Sequence, residues 1–67
     1  MYSVYVIKSL KDGRFYIGQT EDTGERLIKH NKGLVKSTKN RKPFVLVFQE
    51  KFESRQEAIC RERYLKS

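Results

Sequence analysis

Residues 2–8 read Tyr-Ser-Val-Tyr-Val-Ile-Lys. β-Branched and aromatic side chains of this kind favour an extended strand. Side chains alternate in a strand, so Val4 and Val6 share one face while Ser3, Tyr5 and Ile7 share the other. A strand that is nearly apolar on both faces suits a central place in a sheet with helices packed against it. Asp12-Gly13 follows as a hairpin-turn signal, and residues 14–19, Arg-Phe-Tyr-Ile-Gly-Gln, predict the returning strand. In the register that gathers the apolar residues, Val4, Val6, Phe15 and Ile17 form the core face. Tyr5 and Tyr16 then lie together on the second face.

The rest of the chain supplies the covering elements. Asp22 is a good N-cap with Glu25 three residues on, and Gly33 is placed to end a helix, which predicts a helix over about 22–32. Residues 34–43 form a basic, polar connection closed by Pro43. Residues 44–50, Phe-Val-Leu-Val-Phe-Gln-Glu, predict a third strand, placed beside the first. Ser54 and Glu57 make a second capping box, and good helix formers follow. The order ββαβα predicts an α+β domain spanning 1–67, built on a small three-stranded sheet flanked by helices.

Composition narrows the function. A chain of 67 residues buries only about 60% of its unfolded surface, so its core is small and single. Its one cysteine, Cys60, excludes an internal disulfide and a multi-cysteine zinc site, and is read as a small core or boundary residue. A small fold with neither staple suggests a reducing, cytoplasmic setting. No segment is long or apolar enough to cross a membrane, and no signal peptide is visible. Fifteen Lys and Arg against eight Asp and Glu leave a formal net charge of +7, which favours polyanions through counterion release. A phosphate-binding glycine loop is absent, which argues against a nucleotide cofactor, and a lone His without a second ligand at metal spacing argues against zinc.

Two places break the local rules. On a helical wheel of the last helix, with Ala58 at zero, Leu65 falls near about −20° and Glu62 near about 40°. Glu62 therefore faces the core side, where carboxylates need a partner or a task; an i,i+4 pair with Lys66 is the plain explanation. In the first helix Leu27 and Ile28 mark the buried stripe, and Arg26 and His30, four apart, flank it on one face. A surface Arg paired with Asp22 and a partly buried His is the plain explanation of that placement.

Taken together, Ser3-Val4-Tyr5, Tyr16-Ile17-Gly18, Arg26, His30 and Glu62 resemble the GIY-YIG nuclease superfamily, in its small, single-domain bacterial members. The stretches "YSVYVIKSLKDGRFYIGQTEDTGERLIKHNKG", "TKNRKPFVLVFQEKF" and "SRQEAICRERYLKS" carry the likeness over essentially the whole chain. The first motif keeps its tyrosine but has Ser3 in place of glycine, and Gly24 stands in the first helical turn. Relatives run on past the final Leu-Lys with a further basic segment, so a shortened C-terminal end is expected at Ser67.

The resemblance implies metal-dependent hydrolysis of DNA phosphodiester bonds with little sequence preference, in repair or recombination. It implies that Glu62 holds one Mg²⁺ or Mn²⁺, that Arg26 binds the scissile phosphate, and that Tyr5 orients or deprotonates the attacking water. A free phenol titrates near 10, so Arg26 and the metal would have to depress it. Tyr16 would support this geometry, His30 would hydrogen-bond a tyrosine or the phosphate, and Gly18 would permit close backbone approach. Lys36, Lys39, Arg41 and Lys42 are the expected phosphate contacts outside the reacting centre. A DNA-binding module with a degenerate site, and an RNA-associated basic protein, are the competing readings. Oligomeric state is left open.

Overall fold

A computed structural model of the chain describes residues 1–66. Five elements follow one another: β1 (Tyr2–Ser9), β2 (Phe15–Thr20), α1 (Thr23–Asn31), β3 (Phe44–Phe52) and α2 (Arg55–Lys66). The sheet is antiparallel in the order β2-β1-β3, so β1 is central. This is the α+β architecture that the two-faced first strand predicts.

The local signals act where they stand in the chain. The hairpin closes through Ser9 N to Arg14 O (2.8 Å) and Gly13 N to Ser9 O (2.9 Å). Gly13 takes φ +73° there, a left-handed conformation that suits glycine. Asp22 caps α1 by accepting from the backbone N–H of Glu25 at 3.0 Å. The Glu25 side chain pairs forward with Lys29 at 3.4 Å. Gly33, at φ +76°, stops the helix. The Ser54 hydroxyl accepts from Glu57 N at 3.2 Å and caps α2.

The register pairs Tyr5 with Gly18 and Ile7 with Tyr16 on one face, and Val4 with Gln19 and Val6 with Ile17 on the other. The expected grouping of side chains therefore holds, but the buried cluster lies on the opposite face. Tyr5, Ile7 and Phe44 form it, with Tyr16 and Leu27 packed against them. Of the expected core residues Val4 is fully buried, Val6 and Ile17 are half-buried, and Phe15 is 59% exposed. The reason is non-local. Both faces of β1 are apolar, and α1 together with the loop after it covers the tyrosine face. Arg55, at the start of α2, shares a surface pocket with Tyr2 and Thr20, at the end of the hairpin away from Phe15. Arg61 of α2 reaches Glu50, the cross-strand partner of Val4, at 2.9 Å.

Three smaller expectations also change. Ile28 is exposed while His30 is the buried residue of α1. Cys60 is exposed on α2, neither core nor boundary. Strand β3 runs two residues further than predicted, to Phe52, and carries an irregularity opposite Val6 and Ile7.

Candidate active site

Tyr5 stands at the centre of β1, and its ring crosses the neighbouring strand at Gly18. A Cβ built on Gly18 would lie 2.7 Å from the Tyr5 hydroxyl and 2.8 Å from Cζ. Glycine is needed here for space, since it is the tyrosine ring that takes the place of a side chain. Tyr16, two residues before Gly18, points to the same face, with its ring centroid 6.4 Å from that of Tyr5.

Helix α1 brings the next two residues. Arg26 and His30, one turn apart, both face the sheet. The Tyr5 hydroxyl lies 2.9 Å from His30 Nε2 and accepts from Arg26 Nε at 3.4 Å. Tyr16 lies close enough to Arg26 to favour its charged form, and its ring meets the His30 ring edge-on, centroids 5.1 Å apart. His30 is wholly buried, between the two tyrosines and Phe44. The alternative pairing of Arg26 with Asp22 is not what forms.

Helix α2 contributes Glu62, whose side chain is only 19% exposed and whose Oε2 is bound by Lys66 Nζ at 2.7 Å. The field of Glu62 reaches Tyr5, and that of Lys66 couples to both Tyr5 and Tyr16. The i,i+4 pair and the inward carboxylate, alternatives in sequence, are both present.

The electrostatics of the cluster are ordered by burial. Burial pushes the Tyr5 phenol above its ordinary value; the Arg26 hydrogen bond and charge oppose this, and the Tyr16 and Glu62 fields reinforce it. Arg26 alone thus does not depress the phenol as expected, because desolvation outweighs it. His30 is pushed below its ordinary value, first by burial and then by the Arg26 charge, so the imidazole is neutral at pH 7. The Arg26 guanidinium is held more firmly protonated, chiefly by its bond to Tyr5.

The basic loop divides. Lys36, Lys39 and Lys42 are exposed; Lys42 stretches over Gly33, its Nζ 3.2 Å from where a Cβ would be. Arg41 is instead engaged within the fold. Its Nε binds Asp12 at 2.9 Å, its guanidinium lies over the Phe44 ring at 5.6 Å, and its carbonyl accepts from the buried Ser9 hydroxyl. It fastens the loop to the hairpin turn, so it is not free in the way the three lysines are.

Sequence reading missed two residues. Thr38, wholly buried, places its Oγ1 2.7 Å from His30 Nδ1. Asn31 clamps the start of β3, accepting from Phe44 N at 2.6 Å and donating to Phe44 O at 3.1 Å. Neither carries a local signal. Thr38 stands in a run of polar and cationic residues, and Asn31 follows a helix face whose partner strand is 13 residues away.

A tyrosine pair on one strand face, an arginine and a histidine one helical turn apart, and an inward glutamate on the last helix are the features of one family. The GIY-YIG catalytic domain matches residues 1–67. The chain belongs to the GIY-YIG family. This is a family of nucleases, and a nucleic-acid substrate goes with it. Among similar proteins, a UPF0213 protein of Staphylococcus saprophyticus is 45% identical over 65 residues, 96% of this chain and 78% of that protein. A UPF0213 protein of Staphylococcus aureus is 43% identical over the same shares. The solution NMR structure of a UPF0213 protein from Bacillus halodurans is 40% identical, covers 98% of this chain and 71% of its own, and superposes with a TM-score of 0.58. The GIY-YIG fold read from sequence is thus the fold the chain adopts. In this GIY-YIG domain Ser3, where the first motif has glycine, is buried in the central strand.

Proposed function

We propose that this domain is a metal-dependent endonuclease that hydrolyses DNA phosphodiester bonds with little sequence preference. One observation supports this above the others: Tyr5, Tyr16, Arg26 and His30 converge within hydrogen-bond or ring-contact distance, with Glu62 in electrostatic reach. The groups belong to β1, β2, α1 and α2; Tyr5 and Tyr16 also pack the core, but packing calls for neither the arginine nor the carboxylate.

The donor chemistry fits a hard cation. Among the described residues no cluster of three or more His, Cys, Asp or Glu could cage a metal. A single carboxylate, Glu62, is what Mg²⁺ accepts when water and substrate phosphate complete its octahedron. Mn²⁺ would serve the same ligand. When bound, such an ion would neutralise charge on the phosphate and on the leaving oxygen. Lys66 would then have to release Oε2 or share the carboxylate.

The chain's own residues do the rest. Arg26, cationic at all working pH values, binds the scissile phosphate and spreads the charge that grows on its oxygens. The Tyr5 oxygen takes a proton from the attacking water as the phenol's own proton passes to neutral His30 Nε2. The water oxygen forms its bond to phosphorus, the bond to the sugar oxygen breaks, and that oxygen leaves with a proton from solvent. Tyr16 holds Arg26 and keeps the ring of Tyr5 over Gly18. Lys36, Lys39 and Lys42 contact backbone phosphates beyond the site. A role in DNA repair or recombination, in the cytoplasm, completes the proposal.

The second reading is a DNA-binding module whose site is degenerate. It is favoured by Lys66 standing on the one carboxylate and by Ser3 in place of glycine. Incubating the protein with duplex, single-stranded, flap and junction DNA separates the two. Cutting with Mg²⁺ or Mn²⁺ that EDTA stops supports the nuclease; salt-sensitive binding without cutting of any substrate supports the module.

A further inference from the structure

Five hydrogen-bonding groups, joined by four contacts, run in series from Arg26 into the loop after α1. The distances are Arg26 Nε to Tyr5 Oη, 3.4 Å; Tyr5 Oη to His30 Nε2, 2.9 Å; His30 Nδ1 to Thr38 Oγ1, 2.7 Å; and Thr38 Oγ1 to Val35 O, 3.4 Å. The two ends of this series together favour one direction. A guanidinium only donates, so the Tyr5 oxygen accepts from Arg26 and its proton must go to another acceptor. Val35 O is an acceptor within reach of the Thr38 hydroxyl, and a proton given there leaves the Thr38 oxygen to accept from His30. The imidazole in the middle satisfies both neighbours in one tautomer, with the proton on Nδ1 and Nε2 bare. The reverse tautomer leaves Tyr5 with two donors facing its oxygen and its own proton without an acceptor. Tyr5, His30 and Thr38 are all buried, so an unmatched group within the series carries a desolvation cost.

We infer that Thr38 is a positioning residue that fixes the tautomer of His30 and thereby aims the proton of Tyr5 away from the substrate side. The consequence for catalysis rests on the nuclease reading above; the tautomer itself does not. The Tyr5 oxygen is left with a free lone pair for a water molecule, and Nε2 is left empty to receive the phenol proton. No bond to carbon or phosphorus involves Thr38. It acts through His30, from a loop that Ser9, Asp12 and Arg41 hold against the hairpin.

The test uses Thr38→Val, which keeps the volume and removes the hydroxyl, and Thr38→Ser, which keeps the hydroxyl. Ring ¹⁵N resonances of the single histidine report which nitrogen bears the proton. Wild type and Thr38→Ser are expected to show Nδ1 protonated and Nε2 bare at pH 7.5. Thr38→Val is expected to lose that single tautomer and to cut DNA about ten-fold or more slowly, by analogy with loss of the orienting partner of a metal-bound histidine, with DNA binding unchanged. A wild-type imidazole protonated on Nε2, or an unchanged ring spectrum in Thr38→Val, overturns the inference. Should Thr38→Val fail to fold, the wild-type and Thr38→Ser spectra still decide it. Should wild type cut no DNA, the nuclease reading falls, and the ring spectra decide the positioning role alone.

Discussion

A side chain at position 18 would place its Cβ 2.7 Å from the Tyr5 hydroxyl, closer than non-bonded atoms approach, and the ring it meets is held by Arg26 and His30. Gly18→Ala is therefore expected to cost about 1–3 kcal/mol as overpacking and to abolish cutting, because the phenol has to move. Urea denaturation measures the first effect and a nicking assay the second; wild-type stability in the variant would show that Tyr5 is not confined. His30 gives a pH-dependent effect. Its folded pKa lies below its ordinary value, so the unfolded chain binds the proton more readily. Its contribution is complete above about pH 6.5 and is lost as pH falls through the lower folded value. The urea midpoint is expected to drop between pH 7 and pH 5, and the drop should be smaller in His30→Asn. An equal drop in both proteins would place the effect elsewhere.

At the scale of elements, the loop of residues 34–43 is built in two parts. Lys36, Lys39 and Lys42 are exposed, while Arg41 is bound to Asp12 and lies over Phe44. Replacing the three lysines with alanine should lower the salt slope of DNA binding by about one unit for each lysine that contacts phosphate, with the fold intact. Arg41→Ala should instead lower the melting temperature, with little added loss of binding. The join between α1 and β3 is held by Asn31 on both backbone groups of Phe44. Asn31→Ala is expected to cost about 1–2 kcal/mol and to speed amide exchange at Phe44; a protected amide in that variant would contradict the clamp.

Elements are also the scale at which the sequence was most legible. Turn glycines, caps and strand composition act within a few residues, and every strand and helix begins within two residues of where those signals predict it. The choice of core face was not legible, because Val4 and Val6 on one side look as buriable as Tyr5 and Ile7 on the other. That choice is made by α1 and its loop, which are distant in sequence. The same holds for the site. Tyr5, Tyr16, Arg26, His30 and Glu62 could be named from pattern and resemblance, while Thr38 and the engagement of Arg41 depend on a loop folding back over the hairpin. Glu62 was ambiguous for a different reason: its inward direction and its pair with Lys66 are both real, and a helical wheel cannot rank them.

For the whole molecule, an 8.0 kDa chain with a buried polar cluster at its centre spends part of a small core on groups that do not favour burial. Tyr5 and His30 are among its largest fully buried side chains, and both are shifted away from their charged forms by burial. Stability alone does not explain such an arrangement, whereas the proposed phosphodiester hydrolysis would use every member. Under the proposed function, the net charge of +7 would draw DNA to the surface without selecting a sequence. The central claim is that Glu62 holds the catalytic metal beside Tyr5 and Arg26. Its most direct test compares wild type with Glu62→Gln for DNA cutting in Mg²⁺ and for DNA binding in EDTA. The account predicts that the wild type cuts and that Glu62→Gln binds DNA at least as well but does not cut. Cutting that survives in Glu62→Gln would contradict it.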